Sequence, residues 1–313
     1  MTNNISFLTK PIFEEVGTFL DTLCLIKQNN KYGYINKNAS MIIEPQYEQA
    51  GSFSCGLAPV KIGTCFGYIN SSNDICIDPI FDIASCFVDN IATVRINNKY
   101  GVINNNGNFL IEPDFTNELF FSDSLANYQY KSKWGFIDLK GNWVIEPVFD
   151  YASEFHNGLA IIGLSNKFGY IDKTGNIFLE AIYDSADHFS EGLAAVCLKN
   201  KNTFINESGK IILELDYFFI NSFSEGLAAV SVSNYWGYIN KNGRLIINGQ
   251  YESVLPFKNN YAVVSTDGMY NFIDKKGSYI FKEPFNDAYS FSDNIATYNK
   301  EGMWGFIKAN TFN

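Results

Sequence analysis

Six carboxylates stand at one position of a repeating pattern: Glu44, Asp78, Glu112, Glu146, Glu180 and Glu214, each 34 residues from the next. Like charges set at a fixed period repel unless something holds them apart or neutralises them. Three readings are open. Each carboxylate accepts hydrogen bonds from a nearby turn or pairs with the lysine row Lys31, Lys99, Lys133, Lys167 and Lys201. Alternatively, the row is an acidic stripe that docks a basic partner. The third reading is oxygen ligation of Ca²⁺ by adjacent units, although the spacing matches no calcium loop.

Other reactive residues are sparse. His156 and His188 lie 32 residues apart, in different phases of the repeat, with no Cys, Ser or Asp at a triad-like or metal-like spacing. They read as satisfied surface or core histidines. Ser52-Phe-Ser-Cys-Gly56 superficially evokes a nucleophile elbow, but it lacks G-x-S-x-G and falls in an ordinary connection. Cys24, Cys55, Cys65, Cys76, Cys86 and Cys197 do not recur with the period and form no C-x-x-C pair. They read as free thiols in a reducing compartment. The sequence therefore predicts no enzyme, no cofactor and no metal.

The elements that carry these residues follow from three rows. Phe occupies all nine positions from Phe19 to Phe291 at steps of 34, and Ile all nine from Ile35 to Ile307. A third row is always aromatic: Phe13, Tyr47, Phe81, Phe115, Phe149, Tyr183, Tyr217, Tyr251 and Phe285. A fixed period of this length is the signature of a repeat architecture. Leu159–Leu164, Phe168–Asp172 and Asn176–Glu180 read as three short strands of one unit. Gly175 supplies the positive φ of the second turn. The same turn Gly recurs at Gly107, Gly141, Gly209, Gly243 and Gly277, with Asn73 and Ala39 in the early copies. Asn tolerates that conformation and Ala does not, so a distorted turn is expected at Ala39. In the connection, Asp184 is placed to cap one helical turn.

The middle strand is apolar on both faces. Trp134 and Phe136 point one way, Gly135 and Ile137 the other, so both sides should be covered. The Gly recurs at Gly33, Gly67, Gly101, Gly169, Gly237 and Gly305, with Thr203 and Asn271 in two copies. Asn271 would suit a positive φ. Thr203 suggests instead that the site must be small, so that another backbone can approach, and that reading is preferred.

The segment Lys133-Trp-Gly-Phe-Ile-Asp-Leu-Lys-Gly-Asn-Trp-Val-Ile-Glu-Pro-Val-Phe-Asp150 resembles the WG-repeat proteins, a bacterial family. Ser224-Glu-Gly-Leu-Ala-Ala-Val230 and Tyr235-Trp-Gly-Tyr-Ile-Asn240 carry the same likeness, which covers residues 5–308. The chain departs from the pattern with Tyr, Phe or Asn202 at most Trp positions, and with Ala181, Leu215 and Gly249 in place of Pro. Those losses predict altered third-strand geometry over residues 175–255. The resemblance implies a β-repeat architecture and supplies no catalytic signature. Some members resemble immunity or partner-binding proteins encoded near toxins.

The expected fold is all-β: nine 34-residue units of three strands or a hairpin, one domain over 5–308, with polar tails 1–4 and 309–313 that help to cover the ends. An open β-solenoid is preferred, because propeller blades have four strands and usually number four to eight. The alternative is a closed propeller-like ring. It follows from the chain starting in third-strand phase and ending in second-strand phase, so that its ends would share one blade. The start lacks a basic, apolar leader and no apolar run spans a membrane, so a cytoplasmic location is expected. The net charge of −10 disfavours nucleic acid and favours a basic protein surface. The functional expectation is a non-enzymatic scaffold that binds another protein, in its sharper form an immunity protein against a basic toxin domain. The other class is a glycan or cell-envelope polymer binder.

Overall fold

The structure is a computed structural model that describes residues 5–309, and residues 1–4 and 310–313 lie outside it. The described residues form strands and turns only. Among them no helix is long and apolar enough to cross a membrane. They divide into two compact units. The first comprises residues up to 118 with 268–272 and 279 onward; the second comprises 119–267 and 273–278.

In the second unit, Tyr151–Ala152, Leu159–Leu164, Lys167–Asp172 and Ile177–Tyr183 form one antiparallel sheet in chain order. The expectation of three strands per unit holds in three of the nine sheets among the described residues and is corrected in the other six, which have four. Here the connection supplies the fourth, a two-residue strand at the sheet edge opposite Ile177–Tyr183. The capped helical turn expected at Asp184 is also corrected. Ser185–Ala186 is extended and pairs with Leu193–Leu198. The Asp184 N–H donates to the Cys197 carbonyl at 2.8 Å and the Asp187 N–H to that of Ala195 at 2.9 Å. The neighbouring strand satisfies these backbone groups, so no helix is needed to do so.

The first unit settles the choice between open and closed arrays. Ile5–Phe7 pairs antiparallel with Met303–Ala309 in a four-stranded sheet, in register Ile5 to Ala309 and Phe7 to Ile307. The two ends of the described chain complete one sheet. An open solenoid lacks such a pairing and a propeller-like array requires it, so the open-solenoid reading is corrected to the propeller-like one.

Two turns set each sheet. The first has paired residues of positive φ, as at Ser165 (50°) and Asn166 (62°), the twist that a two-residue hairpin requires. The second has Gly175 at φ 86°, donating its N–H to the Asp172 carbonyl at 3.0 Å. Ala39 adopts the same left-handed conformation, φ 60°, with the same bond to Asn36 at 2.8 Å. The distortion expected there does not occur; the turn keeps its geometry in spite of the Cβ.

The repeated rows are core. All nine Ile of the middle-strand row are at most 1 % exposed. Eight of the nine Phe are buried, and Phe121 is half-buried. Seven of the nine connection Phe pack on a middle-strand ring nineteen residues before them. Phe155 lies 4.6 Å from Phe136, and Phe53 lies 4.7 Å from Tyr34. Phe155 also joins Ala160 and Ile171 of the next strands in one cluster. One ring thus fills the space that two sheets share, so neither sheet can bury its face alone.

Candidate functional site

Five of the six row carboxylates sit at the centre of the third strand of their unit and Glu214 next to its end, and that strand is a sheet edge every time. All six are exposed. Side chains two apart share a face, so Glu146 projects with Val144 and Val148, and Glu180 with Phe178 and Ile182. All four of those apolar neighbours are exposed as well. The edge therefore presents carboxylates set among aliphatic and aromatic side chains.

The lysine row does not neutralise this edge. Lys31, Lys133 and Lys167 pair instead with Glu48, Asp150 and Asp184, beyond the end of the third strand. Lys99 reaches Asp114 at 4.0 Å. Only Lys201 pairs with a member of the acidic row, Glu214, at 2.6 Å. Among the described residues the other five make no ion pair. The row is not gathered into a cage either, since no three His, Cys, Asp or Glu of the described residues could hold a metal ion.

The edge position accounts for part of the pattern. An unpaired strand edge invites pairing with another chain, and charge and proline blunt it. Pro45, Pro79, Pro113 and Pro147 follow the acid directly. Beneath them lies the recurring Gly of the middle strand. A Cβ at Gly101 would meet the Ile111 carbonyl oxygen at 2.6 Å and the Pro113 nitrogen at 2.9 Å. The small residue thus admits another backbone, as preferred from the sequence, and its φ lies outside the left-handed region. The close approach coincides with two register shifts, between Tyr100 and Val102 and between Val102 and Ile103. Ala181 and Gly249 replace Pro without changing those shifts, so the geometry expected to alter there is kept. Of the three positions that lose Pro it alters at Leu215, as expected, in the copy where Thr203 also replaces the Gly. There the pairing runs in regular register from Asn202 to Phe204, and Thr203 Oγ1 donates to the Leu213 carbonyl at 2.9 Å.

The period extends the row beyond its six acids, and sequence reading missed how. The seventh position is Asn248, the eighth Lys282, and the position preceding Glu44 is Lys10. One structural position thus changes from anionic to cationic along the chain. Continuing the count of 34 past the last carboxylate would have revealed it.

A second set of carboxylates also went unnoticed. In the connection after the row Phe, Asp21 accepts from the Gly56 N–H at 3.0 Å, and Asp123 from the Gly158 N–H at 2.7 Å. Glu191 accepts from Gly226 at 3.2 Å and Glu225 from Asn260 at 2.9 Å. Ser122, Ser190 and Ser224 donate across the same step to the next row Phe carbonyl at 2.6 to 2.7 Å. These acids tie four of the connections to the next. The acid two residues after the row Phe was the available signal.

The histidines meet although their phases differ, with ring centroids 5.4 Å apart. Burial, and then His156, hold the His188 imidazole below its usual pKa. The six cysteines are free, and Cys24 is buried with its thiol pushed up to about 12 by desolvation. Ser54, in the elbow-like segment, faces Cys55 at 3.8 Å.

A comparison with curated proteins gave no match. Among solved structures, a eukaryotic initiation factor is similar with TM-score 0.57 and 10 % identity, over 92 % of this chain and 99 % of that one. Kluyveromyces lactis Hsv2p gives TM-score 0.43 and 11 % identity, over 84 % and 99 %. At these identities the first likeness is one of fold, and the second carries no argument. The model of the WG containing repeat matches eight times, over residues 32–63, 66–100, 100–134, 134–168, 168–201, 203–236, 236–270 and 272–304. The recurring middle-strand Gly, its bulge and the acid-edged third strand fall inside those matches, and the chain belongs to the WG-repeat family.

Proposed function

We propose that this protein is a non-enzymatic scaffold that holds a basic protein on the edge strands of its sheets. The observation that supports the reading is the edge itself: exposed carboxylates, five of six without an ion pair among the described residues, on the same face as exposed apolar side chains. Charge of this kind steers encounter, and the apolar neighbours supply area that a partner can bury. The sharper form is inhibition of a basic toxin domain. Exposed Cys55 and Cys76 suit a reducing cytoplasm.

Capture with the purified chain at low and high salt tests this reading, with Glu112→Lys/Glu146→Lys/Glu180→Lys as the comparison. The expected partner is basic, is lost at high salt, and binds the triple variant at least about tenfold more weakly, while Tm stays nearly unchanged. Equal capture by the triple variant, or a large fall in Tm, overturns the proposal.

A further inference from the structure

In the first unit one copy of the repeat loses its third strand and leaves a groove. Where seven other copies carry the middle-strand Gly, this one has Asn271. At the equivalent Gly33, Gly67 and Gly101 a Cβ would lie 2.5 to 2.6 Å from a third-strand carbonyl oxygen. A third strand cannot close on Asn271 in that way. Residues 279–284 accordingly form no strand. The Ile280 N–H donates to the Phe272 carbonyl at 2.8 Å, and Phe285 exchanges bonds with Tyr270 at 2.7 and 2.9 Å. Between those ties the chain bows outward, and the Asn271 amide holds the bow by donating to the Phe281 carbonyl at 2.8 Å.

The groove of about 710 Å³ lies between this bow and residues 7–11, all within the first unit. Its wall is aromatic. Phe7 lies 5.3 Å from Phe281 and 5.2 Å from Tyr298, and Phe285 lies 4.8 Å from Tyr298. Phe7 remains 56 % exposed, an unusual state for a ring in a cluster. Its rim is cationic. Lys10, Lys282 and Lys300 line it against one carboxylate, Glu283. None of the three lysines makes an ion pair among the described residues, whereas nine other lysines of this acidic chain do. Lys10 and Lys282 are the two positions at which the acidic row turns basic.

We propose that this groove binds an organic anion with an apolar body, an aromatic or long-chain carboxylate. The volume suits one small ligand, and such sites are typically apolar with a few placed polar groups. The rings would cover the body and the lysines would hold the charged head. A bare phosphate would leave the aromatic wall wet, and a neutral lipid would leave the lysines without a counter-charge. The site is independent of the acidic edge and does not rest on the scaffold reading.

Calorimetry with laurate and with its uncharged methyl ester tests the site. Laurate is expected to bind one per chain, and the ester at least about tenfold more weakly. Lys10→Glu/Lys282→Glu should weaken laurate by a similar factor, and Phe7→Ser should weaken both ligands. Lys140→Glu/Lys173→Glu, elsewhere on the surface, and the triple edge variant should leave laurate binding unchanged. Thermal melts show whether each variant is folded. No binding of laurate, equal binding of the ester, or undiminished binding by the folded Lys10/Lys282 variant overturns the proposal. So does an acidic peptide that binds these lysines without being displaced by laurate.

Discussion

Gly135 faces the Ile145 carbonyl so closely that a Cβ on it would lie 2.4 Å from that oxygen. Real Cβ atoms do not approach so near, and the blocking atoms are backbone, which cannot rotate away. Gly135→Ala must therefore push Trp143–Phe149 off its sheet or remove the bulge. Thr203 shows part of the second outcome in the native chain: one of the two register shifts is gone, and Asn202 to Phe204 pair regularly. Gly135→Ala is expected to cost roughly 2–4 kcal/mol in urea unfolding, at the upper end for a point substitution. A cost below about 0.5 kcal/mol would show that the close approach is not what fixes the edge strand.

Asp123 tests the ties between connections. Its half-buried carboxylate accepts the Gly158 N–H at 2.7 Å. Asp123→Ala leaves that donor without its charged partner, which is expected to cost about 1–3 kcal/mol. Asp123→Asn retains an acceptor and should fall between the two. Because stability in a repeat chain is a sum over neighbours, the loss should add to that of Glu225→Ala, three connections along the chain. Chemical unfolding of the single and double variants measures both points; equal stability of Asp123→Ala and wild type removes the ties as a source of stability.

The fold class was legible because the rows that carry it are core. Ile at nine positions and Phe at nine leave little freedom once the strand alternation is known. Closure was misjudged for a physical reason. The fourth strand is two residues long, as at Ser185–Ala186, and its pairing depends on a neighbouring strand rather than on its own pattern. The acidic row was legible as a row, but its place on the sheet edge was not. Strand order is a tertiary property, and neither the Pro nor the Glu reports it locally. The groove at Lys10 and Lys282 lay hidden for the opposite reason, since it forms where the pattern stops.

Ala39 provides a stabilising substitution. It holds the left-handed conformation, φ 60°, that five other turns assign to Gly at φ 74° to 82° and Gly175 at 86°. A Cβ in that conformation costs about 1–2 kcal/mol. Ala39 is half-buried beside Met41 and Phe306 in one apolar cluster, which returns part of that cost. Ala39→Gly is therefore expected to raise stability by about 0.5–1 kcal/mol, read as an upward shift of Tm. A lower Tm would mean that the methyl group's packing outweighs its backbone strain.

Asp172 makes one turn sensitive to acid. Its carboxylate accepts the Thr174 hydroxyl at 2.6 Å and the Thr174 and Asn176 N–H groups at 2.9 and 3.0 Å. These bonds, the hydroxyl first, hold its pKa below the usual carboxylate value. A depressed folded pKa contributes stability that is present above the unfolded value, near 4, and is lost as the pH falls through the folded one. Asn240 makes the matching backbone bonds without a charge, to Asn242 and Arg244, both at 3.0 Å. Asp172→Asn should therefore keep the turn at neutral pH, with Tm close to that of wild type. Between pH 7 and pH 3 its Tm should fall by less than that of wild type. Equal falls for the two proteins would show that this carboxylate has no part in the acid sensitivity of the fold.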